Sequence, residues 1–411
     1  MESIINGILD NPEVSETTKN TDSSFLKPDF GSDIEYSEDH EINDSIAALI
    51  RRSLPKLQII GVGGAGNNAA ARLMRSETME DAEVLAINTD AQDLLNTVAH
   101  KKILIGYQIT QGFGAGNDPS IGEQAAYEST EELKELITGD LVFITCGLGG
   151  GTGTGAAAVV AEIAKQKGAL TVSICTLPFN MEGPVRQRNS LKGLKKLYNA
   201  SDTVIIIPNQ KLLSLSPDLS LVQGFKIADE VLTRAVTGIS ELITKPQMVN
   251  LDFADVKKIL GNGGIAMIGL GESRGQTLSV KEAVDDALNN PLLTDLNLKT
   301  ARKALICVGG GEDLSLKDAE DIVGQIQNRI DEDAEIIWGA SVGPEMENSL
   351  RVIAIISDID SNFTKKGMFD LNNGAEDIAN GLKPSNDLED TSENQNASSS
   401  QKKKKKRFGI F

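Results

Sequence analysis

Seven residues at 149 to 155, Gly-Gly-Gly-Thr-Gly-Thr-Gly, directly follow the apolar run Leu141-Val-Phe-Ile-Thr-Cys146. Small residues there let backbone N–H groups approach an anion closely, and the helix-like run that follows adds the positive end of its dipole. The segment reads as a phosphate cradle made by Gly149, Gly150, Gly151 and Gly153 with the hydroxyls of Thr152 and Thr154. A P-loop needs G-x-x-x-x-G-K-[ST], and no Lys occurs between Gly147 and Ala164, so this cradle works without one. A merely flexible turn would need neither a strand before it nor an amphipathic run after it.

Two other loops share this character. Gly61-Val-Gly-Gly-Ala-Gly66 fits G-x-G-x-x-G between a strand and a helix, the dinucleotide-binding fingerprint, and Asp90 is a candidate for the acidic residue that would hold a ribose. That pattern keeps an NAD(P)-dependent oxidoreductase open as a reading. A third loop, Gly112-Phe-Gly-Ala115-Gly116, favours a mononucleotide with three phosphates, enclosed by several loops at the carboxyl ends of parallel strands. One further pair can do chemistry: Asp252 and Asp255, three residues apart in Asn250-Leu-Asp-Phe-Ala-Asp, can project to one side of a helix start and orient a water. Read alone, the same spacing favours a capped helix beginning near Phe253.

Composition narrows the chemistry. Histidine occurs only at 40 and 100, which argues against a His-based triad or a His-ligated metal. Cys146, Cys175 and Cys307 each lie inside an apolar run with no metal-ligand spacing, as expected of buried reduced thiols in the cytoplasm. The net charge of −19 argues against a nucleic-acid partner. No apolar run approaches the roughly 20 residues that span a bilayer. An acidic start without a basic n-region gives no sign of a cleaved targeting signal.

The elements that must position these loops follow from the hydrophobic pattern. The 411 residues suit two to three domains at about 150 residues each. Strands are expected at 56–60, 83–87, 102–105, 141–146, 169–176 and 202–208, with a glycine turn at 61–66, a helix from Asn67 to Arg75 and further helices between most of the strands. Such alternation predicts an α/β fold with a parallel sheet covered on both faces. Apolar residues from Leu221 to Leu242 at i, i+3, i+4 spacing predict a long helix over 220–244, a spine between two α/β parts. A second, smaller unit is expected to carry strands at 266–270, 303–308, 335–339 and 351–356. A short helix is expected at 45–54, and residues 1–43 and 361–401 read as disordered.

Several separated motifs together resemble one family: GVGGAGNNA at 61–69, NTDAQ at 88–92, GFGAGNDP at 112–119, GGGTGTG at 149–155, PFNMEG at 178–183, IPNQKL at 207–212 and NLDFADV at 250–256. In order and spacing they are similar to the FtsZ family of tubulin-like GTPases of bacterial cell division. The resemblance implies a GTP-binding domain at 44–219, a central helix at 220–244, a C-terminal domain at 245–360 with the catalytic loop at its start, and a tail at 402–411. It implies GTP and GDP as ligands, with Mg2+ accompanying the nucleotide, and it places Gly64, Ala65, Gly66, Asn67 and Asn68 on the phosphate and sugar side, with Gly151, Thr152 and Gly153 on the phosphates. Ala115, Gly116, Gly149, Gly150, Thr154, Asn209 and Phe225 complete the implied nucleotide contacts. Glu182 and Arg186 would lie near ribose and base, and Asp229 would accept from the guanine N1–H and amino group, a pairing adenine does not offer.

The resemblance also turns the Asp252 and Asp255 pair, with Asn250, into a catalytic group that reaches the nucleotide of the next subunit in a head-to-tail homopolymer. A filament protein of this kind with little GTPase activity is the alternative within the family. Ala158, Leu177 and Ala65 depart from the common family pattern without removing an implied contact. The family's acidic C-terminal docking peptide is missing. Lys402 to Arg407, six consecutive positive charges, precede Phe408-Gly-Ile-Phe411 instead. Such a tail can dock a division protein, bind anionic lipid at about 1 kcal/mol per charge, or serve only as a solvated end whose charges aid solubility. The implied location is the cytoplasm at midcell.

Overall fold

The computed structural model describes residues 55–75, 82–213, 221–244, 251–275, 278–289, 292–293, 297–343 and 346–359. The expected N-terminal extension, the helix at 45–54, Asn250, the linker and the basic tail lie outside the described residues.

Buried β-branched runs build the centre of the molecule. Strands β1 (Leu57–Val62), β5 (Leu170–Leu177) and β6 (Thr203–Pro208) are buried at every position, and β4 (Leu141–Gly147) at all but its last. Burial without alternation is the mark of a sheet covered on both faces. With β2 (Glu83–Asn88) and β3 (Lys101–Leu104) these strands form a parallel sheet, confirming the expected α/β architecture. Helices α1 (Gly63–Met74), α2 (Ala91–Asn96), α3 (Tyr107–Thr110), α4 (Pro119–Glu128), α5 (Thr130–Leu136), α6 (Thr152–Gln166), α7 (Pro184–Ala200) and α8 (Asn209–Leu212) connect them.

Helix α9 (Leu221–Thr244) runs across the sheet, followed by α10 (Phe253–Leu260), β7 (Gly264–Arg274), α11 (Val280–Leu288), β8 (Lys303–Gly310), α12 (Leu316–Gln327), β9 (Glu335–Val342) and β10 (Ser349–Ser357). The two α/β parts are not separate sheets. One ten-stranded sheet runs β3-β2-β1-β4-β5-β6-β7-β10-β8-β9, and its halves join where Thr203 to Ile205 of β6 pair in parallel with Gly264 to Ala266 of β7. Strand β10 is antiparallel to both neighbours. Ile227, Val231, Ala235 and Ile239 of α9 bury against one core shared by Ile205 and Ile207 on one side of the junction and Ile353 and Ile355 on the other. The helix is therefore the predicted spine, and the apolar stripe that announced it is its contact with both halves.

Two expectations on local structure are corrected. The glycine segment at 61–66 is not a turn: Gly61 and Val62 finish β1, Gly63 turns the chain at φ 72°, and α1 begins there rather than at Asn67. Strand β7 is eleven residues long, not five. Gly269 and Gly271 break its apolar run, yet a Cβ at either would overlap the Ala287 or Ala283 carbonyl of α11, so both glycines are there for close helix packing.

Candidate functional site

The cradle forms where two helices start. A Cβ on Gly63 would lie 2.8 Å from the Gly153 nitrogen, so the first turns of α1 and α6 meet. Neither helix has a side-chain cap or an acidic residue in its first turn. Uncapped N–H groups and two positive dipole ends thus converge on one point, which is the electrostatics an anion requires. The third loop closes the side: a Cβ on Gly151 would come 2.7 Å from the Ala115 side chain, and Asp118 caps α4 through Ser120. Gly116 and Asn117 follow in left-handed conformation, at φ 57° and 65°.

Not every expected contact faces the open space. Gly64, Ala65 and Asn68 are exposed, whereas Gly66 is buried and packs against the Thr145 carbonyl of β4, so its role is close helix packing. The Gly149 N–H is spent on the buried Thr154 hydroxyl at 2.8 Å, which makes this pair a brace of the loop rather than phosphate donors. Thr152 shares a 2.6 Å hydrogen bond with the Thr89 hydroxyl, linking the first turn of α6 to the end of β2. A Cβ on Gly150 would meet no atom within 4 Å, so the space beside it is open. Thr89 and Asn189, which donates toward the Gly149 carbonyl at 3.5 Å, went unpredicted. Thr89 lies inside the NTDAQ motif, but Asn189 gave no signal in spacing.

Asp90, the residue on which the oxidoreductase reading relied, caps α2 by accepting from Gln92 N–H at 2.9 Å and Asp93 N–H at 3.0 Å. Its carboxylate is engaged by helix α2.

The opposite wall comes from α9 and the loops after β5 and β6. Phe225 and Asp229 share one face of α9 at i, i+4 spacing. Phe225 meets Phe179 edge to face at 5.2 Å, while its own ring is 40% exposed. Glu182 accepts from the Phe179 N–H at 2.8 Å and pairs with Arg186 at 2.6 Å, beside Gly149. Asp229 faces Arg72 of α1 at 3.5 Å. Burial nevertheless outweighs that cation, with Glu230 adding to the rise, and the Asp229 carboxyl is pushed up to about 6.

Two of the residues implied as nucleotide contacts carry buried polar groups without partners. Five buried side-chain atoms lack a hydrogen bond among the described residues, and three of them are Asn67 Nδ2, Asn67 Oδ1 and Asn209 Oδ1. Each such atom costs about 1–3 kcal/mol unless something completes it. The remaining two, Arg351 Nε and Ser357 Oγ, are on β10. No group of three or more His, Cys, Asp or Glu able to hold a metal occurs among the described residues.

The acidic pair lies elsewhere. Asp252 is the N-cap of α10, its Oδ1 accepting the Asp255 N–H at 2.8 Å, so the capped helix start read from spacing is present. Asp255 carries no cap duty. Leu251 packs near Leu242 against the position of Gly339, and Leu260 ends at the first residue of β6, where Thr203 donates to its carbonyl. From Phe225 to Leu242 the axis of α9 covers about 25 Å. Cradle and carboxylates are thus at opposite ends of one chain.

This sheet order, central helix and uncapped double helix start define a tubulin-like GTPase domain with a second α/β unit. Residues 56–217 match the Tubulin/FtsZ family, GTPase domain, and residues 264–360 match the FtsZ family, C-terminal domain. The chain belongs to the FtsZ family. It is 50% identical over 323 residues to cell division protein FtsZ 1 of Pyrococcus horikoshii, covering 78% of this chain and 86% of that protein. It is 50% identical over 344 residues to FtsZ 1 of Methanocaldococcus jannaschii, covering 82% and 94%. A solved empty FtsZ dimer from M. jannaschii superposes with a TM-score of 0.73 at 51% identity, covering 77% of this chain and 92% of that one. A CetZ2 protofilament from Haloferax volcanii, at 22% identity and TM-score 0.65, shares the fold. These relatives are archaeal, so family membership does not carry with it the bacterial setting that the resemblance first implied. The oxidoreductase reading is overturned by the same matches.

Proposed function

We propose that this chain hydrolyses GTP only when copies stack head to tail, one supplying the nucleotide pocket and the next supplying Asp252 and Asp255. The separation of cradle and carboxylates along α9 carries this reading. Phosphates rest on the starts of α1 and α6, with Gly64, Ala65, Gly151, Thr152 and Gly153 as the nearest groups. Asn67, Asn68, Asn209, Glu182 and Arg186 serve the sugar side, and Phe225 and Asp229 the base. Mg2+ would accompany the nucleotide and neutralise phosphate charge there, since no cluster of three or more His, Cys, Asp or Glu among the described residues would hold it by itself. Asp255 of the next copy polarises the attacking water while Asp252 holds the start of α10 in position. Exposed apolar residues beside the cradle support a protein partner there: Leu95 and Phe113 are 76% and 85% exposed.

The domain division at 44–219, 220–244 and 245–360 is part of this proposal, as is a division-site role in the cytoplasm with the basic tail docking a partner protein or anionic lipid. No helix of the described residues is long and apolar enough to cross a membrane. Phosphate release measured against protein concentration tests the shared site. A sharp onset is expected, and release strictly proportional to concentration would refute it.

Two smaller predictions arise here. Guanine needs an ionised Asp229 as acceptor, and at pH 5 only about a tenth of a group titrating near 6 is ionised. GTP affinity is therefore expected to fall about tenfold between pH 7 and pH 5. A flat profile in a calorimetric titration would remove Asp229 from base recognition. Gly150→Ala should fold as the native chain does, because nothing in the structure opposes the new methyl. Its GTP affinity should drop at least tenfold if phosphate fills that space, about 1.4 kcal/mol. Unchanged affinity would move the phosphates away from Gly150.

A further inference from the structure

A basic recess opens at the amino ends of the strands, the end opposite the cradle. It has a volume of about 600 Å3, and its charged lining is Lys165, Lys257, Lys258, Lys303, Asp202 and Glu335. Lys165 pairs with Asp202 at 3.0 Å and Lys258 pairs with Glu335. Lys303 donates to the Lys258 carbonyl at 3.3 Å, which uses one of its three N–H donors and leaves its charge uncompensated. Lys257 has no anionic partner among the described residues. Four ammonium groups against two carboxylates leave two positive charges in a chain whose net charge is −19.

The path of the chain brings an acidic segment to this recess. Lys56 leads into β1 and is fixed by its N–H to Asp140 Oδ2 at 2.8 Å, at the amino ends of β1 and β4. In the order β1-β4-β5-β6-β7-β10-β8 the recess runs from the start of β5, two strand spacings or about 10 Å away, to Lys303 at the start of β8, six spacings or about 29 Å away. Residues 29–44 contain seven carboxylates and no Lys or Arg. The twelve residues from Asp44 to Lys56 span about 18 Å if helical and up to about 40 Å if extended, so the segment reaches either way.

We propose that residues 29–44 dock intramolecularly in this recess, their carboxylates neutralising Lys257 and Lys303. Exposed ion pairs contribute only about 0.2–1 kcal/mol each, but a short tether raises the effective concentration to the millimolar range. Docking of this strength is salt-sensitive, since screening shortens from about 8 Å at physiological salt to about 3 Å at 1 M. Lys257 and Lys258 follow Asp255 in α10, so a docked segment covers the face that the next copy must approach. That consequence rests on the head-to-tail reading above. The docking itself does not.

Carbodiimide cross-linking of the full nucleotide-free chain at low salt, read by mass spectrometry on a mixture of 14N and 15N protein, tests the docking. Amide links from the 29–44 carboxylates to Lys257 and Lys303 within one isotopic chain are expected, with at least a fivefold loss at 1 M NaCl. Absence of these links, links to Lys402–Lys406 instead, or mixed-isotope links that assign the recess to a second copy would each overturn it. The combined variant E35Q, E38Q, D39N and E41Q is expected to lower the protein concentration at which GTP turnover begins at least twofold. An unchanged onset with the cross-links present would overturn the regulatory consequence alone. A native chain with no onset at all would instead count against the assembly reading.

Discussion

The Asp255→Asn chain is expected to lose two to four orders of magnitude in GTP turnover while binding GTP as tightly as the native chain. Positioned acid–base groups contribute about 10²–10⁴ in rate, and Asp255 is the member of the pair free of other duties. Asp252 is a poorer choice, because its carboxylate caps α10 and its removal would cost about 1 kcal/mol of helix stability besides any chemistry. The decisive form of the experiment uses two dead chains. An Asp255→Asn chain keeps its cradle, and an Asp229→Ala chain keeps its carboxylates. Neither hydrolyses alone, yet in an equal mixture roughly one interface in four joins an intact cradle to an intact carboxylate end, as a heterologous head-to-tail contact requires. Recovery of about a quarter of the native rate is expected. No recovery, with both chains shown to co-assemble, would place the catalytic groups within a single chain.

Most of what positions this site could be read from local pattern, because local pattern is what builds a buried parallel sheet. Runs such as Leu141 to Cys146 announce strands, and glycines after them announce loops that ligands approach. What could not be read depends on partners distant in sequence. Gly66 looks like a loop residue until the Thr145 carbonyl is seen against it, and Gly149 looks like a phosphate donor until its N–H is seen donating to the Thr154 hydroxyl. The three-residue pairing of β6 with β7 leaves no trace in hydrophobic periodicity, yet it fuses two expected units into one sheet. Family resemblance alone marks Asp229 as a base contact. Its burial opposite Arg72 supplies the physical reason such a carboxylate is poised there.

That poise makes Asp229→Asn the sharpest test of base recognition. A carboxylate accepts from both guanine donors, N1–H and the 2-amino group. An amide can accept from N1–H but turns its own N–H₂ toward the amino group, donor against donor. Xanthine carries an oxygen in place of that amino group, so the amide suits it as the carboxylate suits guanine. Sites built around one hydrogen-bonding pattern reject the mismatched partner by as much as about 10⁴. GTP affinity should fall at least a hundredfold, and the preference between GTP and xanthosine triphosphate should reverse. The empty protein should respond in the opposite sense. Because burial raises the Asp229 pKa to about 6 in the folded chain, the group's contribution to stability is present at low pH and lost as pH rises through 6. The asparagine variant escapes this loss, so without nucleotide it should melt at a higher temperature than the native chain at pH 7.5, and the gain should vanish below pH 4. If the variant instead melts lower and binds GTP unchanged, Asp229 is a structural partner of Arg72, and guanine selection must come from another wall of the pocket.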